Sequence, residues 1–148
     1  MRVPFLIAAP GLIPRQVRSG QVVSLLDTAP TVLDLAGVPV PANYQGRSML
    51  EDGPRMALFY ADYSLGLLGL RDGPRKFIYE LNSGRPKLFD LEHDPQENVD
   101  LGAEFPQQSR WYEQNLRAWS ASQKEVLWGR SPTCQASLMG RPVTCLTN

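Results

Sequence analysis

The chain has one histidine, His93, in 148 residues. Without a second imidazole it can build neither a histidine pair for a transition metal nor a two-histidine acid-base couple. Cysteine is almost as scarce, because Cys134 and Cys145 are the only two and both fall near the end of the chain. They either close a short tail loop as one disulfide or stay as two thiols, and two cysteines do not fix a redox compartment. Net charge is missing as well: 15 basic and 15 acidic residues cancel. This removes the electrostatic footprint of a nucleic-acid partner or an anionic membrane. No apolar run approaches the ~20 residues that a membrane-spanning helix needs. The apolar opening from Val3 to Ile13 is interrupted by Pro4, Pro10 and Gly11, with Arg2 as its only positive charge. It therefore reads as a buried strand rather than a signal peptide.

Apolar residues make up 43% of the sequence and charged residues 20%. That balance is ordinary for a folded domain and argues against a disordered or fibrous chain. A chain of this length buries roughly 68–70% of its unfolded surface, so a real core is within reach.

Val3 to Ala9 is a short apolar run closed by Pro10-Gly11, which predicts a buried strand of a parallel or mixed sheet. Such a strand acquires its neighbours through crossover connections of a dozen or more residues. Since Met1 stands directly before it, the start of the chain looks internal to a larger fold. Asp27 or Thr28 offers a helix cap, with Pro30 in the first turn and Val32, Leu33, Leu35 and Ala36 as one apolar face. Gly37 supplies the left-handed stop, and Pro39 and Pro41 prevent continuation. Asn43 to Arg55 reads as a polar loop. Beyond it the period shortens to two in Met56–Tyr60, Leu65–Leu70, Lys76–Leu81 and Lys87–Leu91. Asp72-Gly73-Pro74 and Asn82-Ser83-Gly84 separate these runs, and the pattern predicts a small antiparallel meander. Tyr112, Leu116 and Trp119 then recur at helical spacing, with Val126 or Leu127 further along, in a helix starting near Pro106. Trp111 and Trp119 are expected to pack that helix onto the sheet. After Gly129 periodicity is lost.

Three stretches, in order, resemble the C-terminal half of sulfatases of the alkaline phosphatase superfamily. Arg2-Val3-Pro4-Phe5-Leu6-Ile7 with Ala9-Pro10-Gly11 is similar to that family's arginine-valine-proline strand and turn. Val23-Ser24-Leu25-Leu26-Asp27-Thr28-Ala29-Pro30-Thr31-Val32-Leu33-Asp34-Leu35-Ala36-Gly37-Val38-Pro39, followed by Gln45-Gly46-Arg47-Ser48-Met49-Leu50, is the most specific of the three. Leu70 to Tyr79 with Lys87 to Asn98 resembles its closing hairpin and aspartate-proline turn. Each stretch alone has a structural explanation, as a strand, a capped helix or a hairpin, and their succession carries the inference.

The resemblance implies an α/β, alkaline-phosphatase-like fragment. Residues 1–54 would be the C-terminal edge of the catalytic domain, 55–128 an antiparallel sheet-and-helix subdomain, and 129–148 an irregular tail. It also implies hydrolysis of sulfate esters, with a formylglycine and a divalent cation, commonly calcium, held by residues upstream of this chain. None of those groups carries over, so the isolated chain is expected to be inactive and to hold no cofactor. Its expected partner is the upstream catalytic half. An exposed strand edge at Val3–Ala9 would also favour self-association. Two alternatives remain open: a non-catalytic accessory module presenting Tyr60, Tyr63 and Trp128, and a phosphate-ester hydrolase or phosphotransferase of the same superfamily. Full-length members of the family are often periplasmic, secreted or membrane-anchored, and the chain itself assigns no compartment.

No residue is assigned a catalytic, metal-binding or substrate-binding role. Cys134-Gln135-Ala136-Ser137 partly mimics the formylglycine motif, but Leu138 stands at the arginine place and the segment lies at the wrong end. His93, between Glu92 and Asp94, reads as part of a solvated turn. Glu92, Asp94, Glu97 and Asp100 do not have the spacing of a calcium loop. Arg71, Arg75 and Lys76 could face an anionic substrate but read more simply as the solvent side of a hairpin. Arg47 reads as a loop anchor.

Overall fold

The computed structural model describes residues 5–13, 15–16, 18–63, 65–127, 137–138 and 141–142. The chain divides into two compact units, Met1–Gln21 with Leu25–Asp52, and Val22–Ser24 with Gly53–Asn148.

In the first unit a single 3-10 turn, Leu25–Asp27, runs into helix α1, Thr28–Leu35. Pro30 sits inside the first turn, where its missing N–H costs nothing. Gly37 takes φ +69°, and Val38 N–H donates to the Leu33 carbonyl. This six-to-one closure is the helix stop expected of a left-handed glycine. Asp27 provides no side-chain cap; its carboxylate is turned to another use, described below. Phe5 to Ala9 departs from the strand expected over Val3–Ala9, since none of these residues pairs with another strand. A β-strand exists only through a ladder partner, and the described residues offer this segment none. Met1 to Pro4 lie outside the described residues.

The second unit is a meander of four antiparallel strands in the order β1 (Met56–Tyr63), β2 (Leu65–Asp72), β3 (Arg75–Glu80) and β4 (Pro86–Asp90). Gly73, at φ +53°, and Pro74 form the two-residue turn between Asp72 and Arg75, which face each other across the ladder. The register aligns Leu58, Leu70, Phe77 and Leu88 in one row across all four strands. Because side chains alternate along a strand, the whole row lies on one face.

Helix α2, Pro106–Leu127, covers that face. Tyr112 and Leu116 join Leu68, Leu70, Phe77, Tyr79 and Leu88 in the core, with Leu58, Phe105 and Trp119 packed around it. Leu70, Phe77, Leu88 and Leu116 are completely buried, each contributing about 1.5–3 kcal/mol of apolar transfer free energy. The meander, the helix start and the Tyr112–Leu116–Trp119 stripe are where periodicity placed them. Trp111 differs: it remains 41% exposed and meets only the edge of Tyr112, at 5.3 Å between ring centres. Its position in the helix turns it sideways to the stripe. In the tail, Ser137–Leu138 and Arg141–Pro142 pair antiparallel, and the remainder after Leu127, including Trp128, Cys134 and Cys145, lies outside the described residues.

Candidate functional site

The most specific sequence block folds into a polar clasp. One end is helix α1, and the other is the loop Gln45–Leu50. Arg47 N–H donates to Asp27 Oδ1 at 3.0 Å and Met49 N–H to Thr31 Oγ1 at 2.8 Å. Ser48 Oγ donates to Asp34 Oδ2 at 2.5 Å. Thr31 in turn donates its hydroxyl to the Asp27 carbonyl one helical turn back, at 2.6 Å. Asp27, Thr31 and Ser48 are all buried. Gly46 lets the loop approach, since a Cβ there would run into the Leu26 carbonyl. Arg47 is thus held through its main chain, as a loop anchor would be.

In the second unit the basic residues of the β2–β3 hairpin are engaged locally. Arg71 Nε donates to the Gly73 carbonyl at 2.6 Å. Arg75 lies 3.4 Å from Asp90 Oδ2 and stacks over the Phe105 ring at 4.9 Å. Lys76 Nζ reaches both carboxylate oxygens of Glu97, at 2.7 and 2.6 Å. A cation committed to an internal carboxylate is a poor receiver for a substrate anion. Lys76 and Arg75 are committed in this way, whereas Arg71 bonds only the carbonyl of its own turn.

The acidic turn is built the same way. Asp94 accepts the Val99 N–H at 2.8 Å and the Asn98 side-chain amide at 3.2 Å. The Val99 bond foremost holds its carboxyl below the usual value. Asp100 accepts the N–H groups of Leu88 and Gly102. His93 is 80% exposed and rests its Nδ1 3.1 Å from Asp90 Oδ2. That contact leads the causes lowering the Asp90 pKa, with the Glu92 and His93 N–H groups assisting and partial burial opposing.

Asp90, Glu92 and His93 bring one ligand atom each within 4.8 Å of one another. The fit to calcium is poor. That ion wants six to eight oxygens, whereas this turn offers two carboxylates and a ring nitrogen. Asp90, moreover, is already neutralised by Arg75 and occupied by two backbone donors.

Two contacts were not anticipated from the sequence, and both fix α2 to the sheet. Tyr112 donates its hydroxyl to Asp72 Oδ2 at 2.8 Å and accepts from Gln108 Nε2 at 2.9 Å. Burial first, and the Asp72 bond second, push the Tyr112 pKa far up. Arg117 donates to the Tyr79 hydroxyl, lies over its ring at 4.8 Å and pairs with Glu113. Only the Gln108–Tyr112 and Glu113–Arg117 spacings were visible as i, i+4 pairs. Among the described residues these side chains make bonds within the fold, as does the Ser48 hydroxyl on the Asp34 carboxylate.

The family model for the C-terminal region of N-sulphoglucosamine sulphohydrolase matches residues 1–63. Arylsulfatase K of Bos taurus is 33% identical over 135 residues, covering 78% of this chain and 25% of its own length. Among solved structures, Ps i-CgsB, described in complex with k-i-k-neocarrahexaose, superposes with a TM-score of 0.60 at 25% identity. It covers 75% of this chain and 27% of that one. A 2-O GAG sulfatase superposes with a TM-score of 0.52 at 21% identity, over 70% of this chain and 26% of its own, and shows the fold alone. The chain spans about a quarter of the length of the curated relatives it matches. In full-length members the sulfatase relationship implies calcium and formylglycine. The neighbours share the alkaline-phosphatase-like α/β class, to which the four-stranded sheet and its covering helix conform. The chain corresponds to the C-terminal part of the sulfatase family.

Proposed function

We propose that this chain serves a sulfate-ester hydrolase as its C-terminal scaffold. Residues 1–54 complete the edge of the catalytic α/β domain, and 55–128 form the subdomain that walls the substrate pocket. The observation that carries this reading is the Arylsulfatase K match across 78% of the chain. A formylglycine and calcium, when bound in the whole enzyme, supply the nucleophile and the charge that polarises the ester. On this reading the described residues of this chain hold neither group. Their work is positional: Asp27, Thr31 and Asp34 fix the 45–50 loop, while Asp72 and Tyr79 fix α2.

Sulfate-ester cleavage needs a nucleophile, a metal cage and cationic stabilisers, each supplying on the order of several kcal/mol of barrier lowering. The purified chain should accordingly leave an aryl sulfate intact, with or without calcium. Replacing His93, Cys134 and Cys145 should not alter that result. Turnover above buffer that disappears in Cys134→Ala would overturn the reading and make the tail a true nucleophile.

A further inference from the structure

An asparagine loses its side-chain nitrogen as ammonia when the main-chain nitrogen of the next residue attacks its Cγ. That nitrogen must first give up its proton, and a proton already donated to an acceptor is held back by the bond it makes. Four asparagines lie among the described residues, and after three of them the next N–H is committed. Tyr44 N–H, following Asn43, donates to the Pro41 carbonyl at 3.1 Å. Val99 N–H, following Asn98, donates to Asp94 Oδ2 at 2.8 Å. Leu116 N–H, following Asn115, lies inside α2 and belongs to the helical ladder. Two of these side chains are tied as well, Asn98 to Asp94 Oδ1 at 3.2 Å and Asn115 to the Trp111 carbonyl at 2.7 Å.

Asn82 is different. It stands in the exposed turn between β3 and β4, and the turn is closed on both sides of it. Leu81 N–H donates to the Gly66 carbonyl at 2.7 Å, Gly84 N–H to the Glu80 carbonyl at 2.8 Å, and Glu80 N–H to the Arg85 carbonyl at 3.0 Å. Ser83 Oγ donates to Glu80 Oε2 at 2.5 Å and accepts the Arg85 N–H at 3.3 Å. Among the described residues no acceptor takes the Ser83 N–H, and no bond of the turn engages the Asn82 side chain. The frame around residues 80–85 thus leaves open the amide that the reaction needs, with a small side chain beside it that is drawn away to Glu80.

We propose that Asn82 is the site of spontaneous deamidation in this chain. Water or hydroxide takes the Ser83 N–H proton, and the nitrogen electron pair forms a bond to Asn82 Cγ. The side-chain nitrogen, picking up a proton from water, leaves as ammonia, and a cyclic succinimide remains. Water then opens the ring. Breaking the new N–Cγ bond gives aspartate, whereas breaking the original peptide C–N bond gives isoaspartate, with the main chain rerouted through Cγ. No co-reactant other than water is consumed. Either product adds a negative charge two residues from Glu80, and isoaspartate lengthens the stretch of chain that the Gly84–Glu80 bond closes. The β3–β4 turn therefore records the age of the molecule, independently of the sulfatase reading.

The test incubates the full chain in mildly alkaline buffer, once folded and once in urea, and follows each asparagine by peptide mass mapping, with isoaspartate distinguished by fragmentation. In the folded chain Asn82 should convert severalfold faster than Asn43, Asn98 or Asn115, and faster still as pH rises. Urea frees the bonded N–H groups, so the margin between Asn82 and the other three should shrink there. A margin as wide in urea as in the folded chain would show that the Asn-Ser pair alone sets the rate, and it would overturn the inference. Faster conversion at any of the other three in the folded chain would do the same. Ser83→Pro removes the attacking N–H and should abolish conversion of Asn82. Should that variant fail to fold, Asn82→Gln carries the test: the acidic species that accumulates on ion exchange should be lost, and its persistence at the parental rate overturns the assignment.

Discussion

The tip of the Phe59 ring occupies the space beside Gly69, its partner directly across the β1–β2 ladder. A Cβ at Gly69 would come within 2.1 Å of the ring, so this glycine is required by close approach and not by an unusual φ. Gly69→Ala should cost about 1–3 kcal/mol, the usual penalty of overpacking. Phe59→Leu in the same chain should recover part of that loss, as read by thermal or urea unfolding.

Tyr112→Phe removes one hydroxyl and leaves Asp72 and Gln108 without their shared partner. The expected destabilisation is about 1–2 kcal/mol, and Asp72→Ala should add little to it in a double-mutant cycle. A spectrophotometric titration of the 5 tyrosines offers a second check. The pKa of Tyr112 lies above its ordinary 10.0, and that of Tyr60 is raised as well, so Tyr112→Phe should remove one ring from the late ionisation and leave the remainder in place.

Glu97 adopts φ +60°, alone among the described non-glycine residues, and its carboxylate clamps Lys76. Side-chain exposures of 15% for Lys76 and 32% for Glu97 protect the pair from much of the solvent screening that weakens surface ion pairs. Lys76→Met should cost about 1–2 kcal/mol. Glu97→Gly should cost less than Glu97→Ala, because glycine relieves about 1 kcal/mol of left-handed strain. Chemical denaturation of the three variants would rank them.

Acid should loosen the turn after β4. The pKa of Asp94 is lowered below 3.8 in the folded chain, so its contribution is present above the unfolded value and disappears as pH falls through the folded one. Stability measured from pH 6 downward should fall below about pH 4. Asp94→Asn should flatten that part of the curve. A curve unchanged by the substitution would remove Asp94 as the cause.

Period-two patterning located the meander because each strand buries one face, and the 3.6 period located α2 for the same reason. What could not be read were contacts joining residues far apart in the chain. Arg47 meets Asp27 across 20 residues and Tyr112 meets Asp72 across 40, and no local preference specifies either. The Asp27–Thr28 pair looked like a helix cap because those residues usually are. Burial of Asp27 by the loop decided otherwise. Phe5 to Ala9 has the composition of a strand and no ladder to join, since composition describes a segment and pairing describes its surroundings.

Several outward backbone groups of β4 are already taken. Leu88 donates its N–H to Asp100 and gives its carbonyl to Leu101 N–H, the Asp90 carbonyl receives Asp94 N–H, and Pro86 has no N–H to offer. β1 terminates the sheet on the other side. Along its middle the β4 edge is therefore blunted, and an approaching strand would find Leu88 with neither donor nor acceptor to spare.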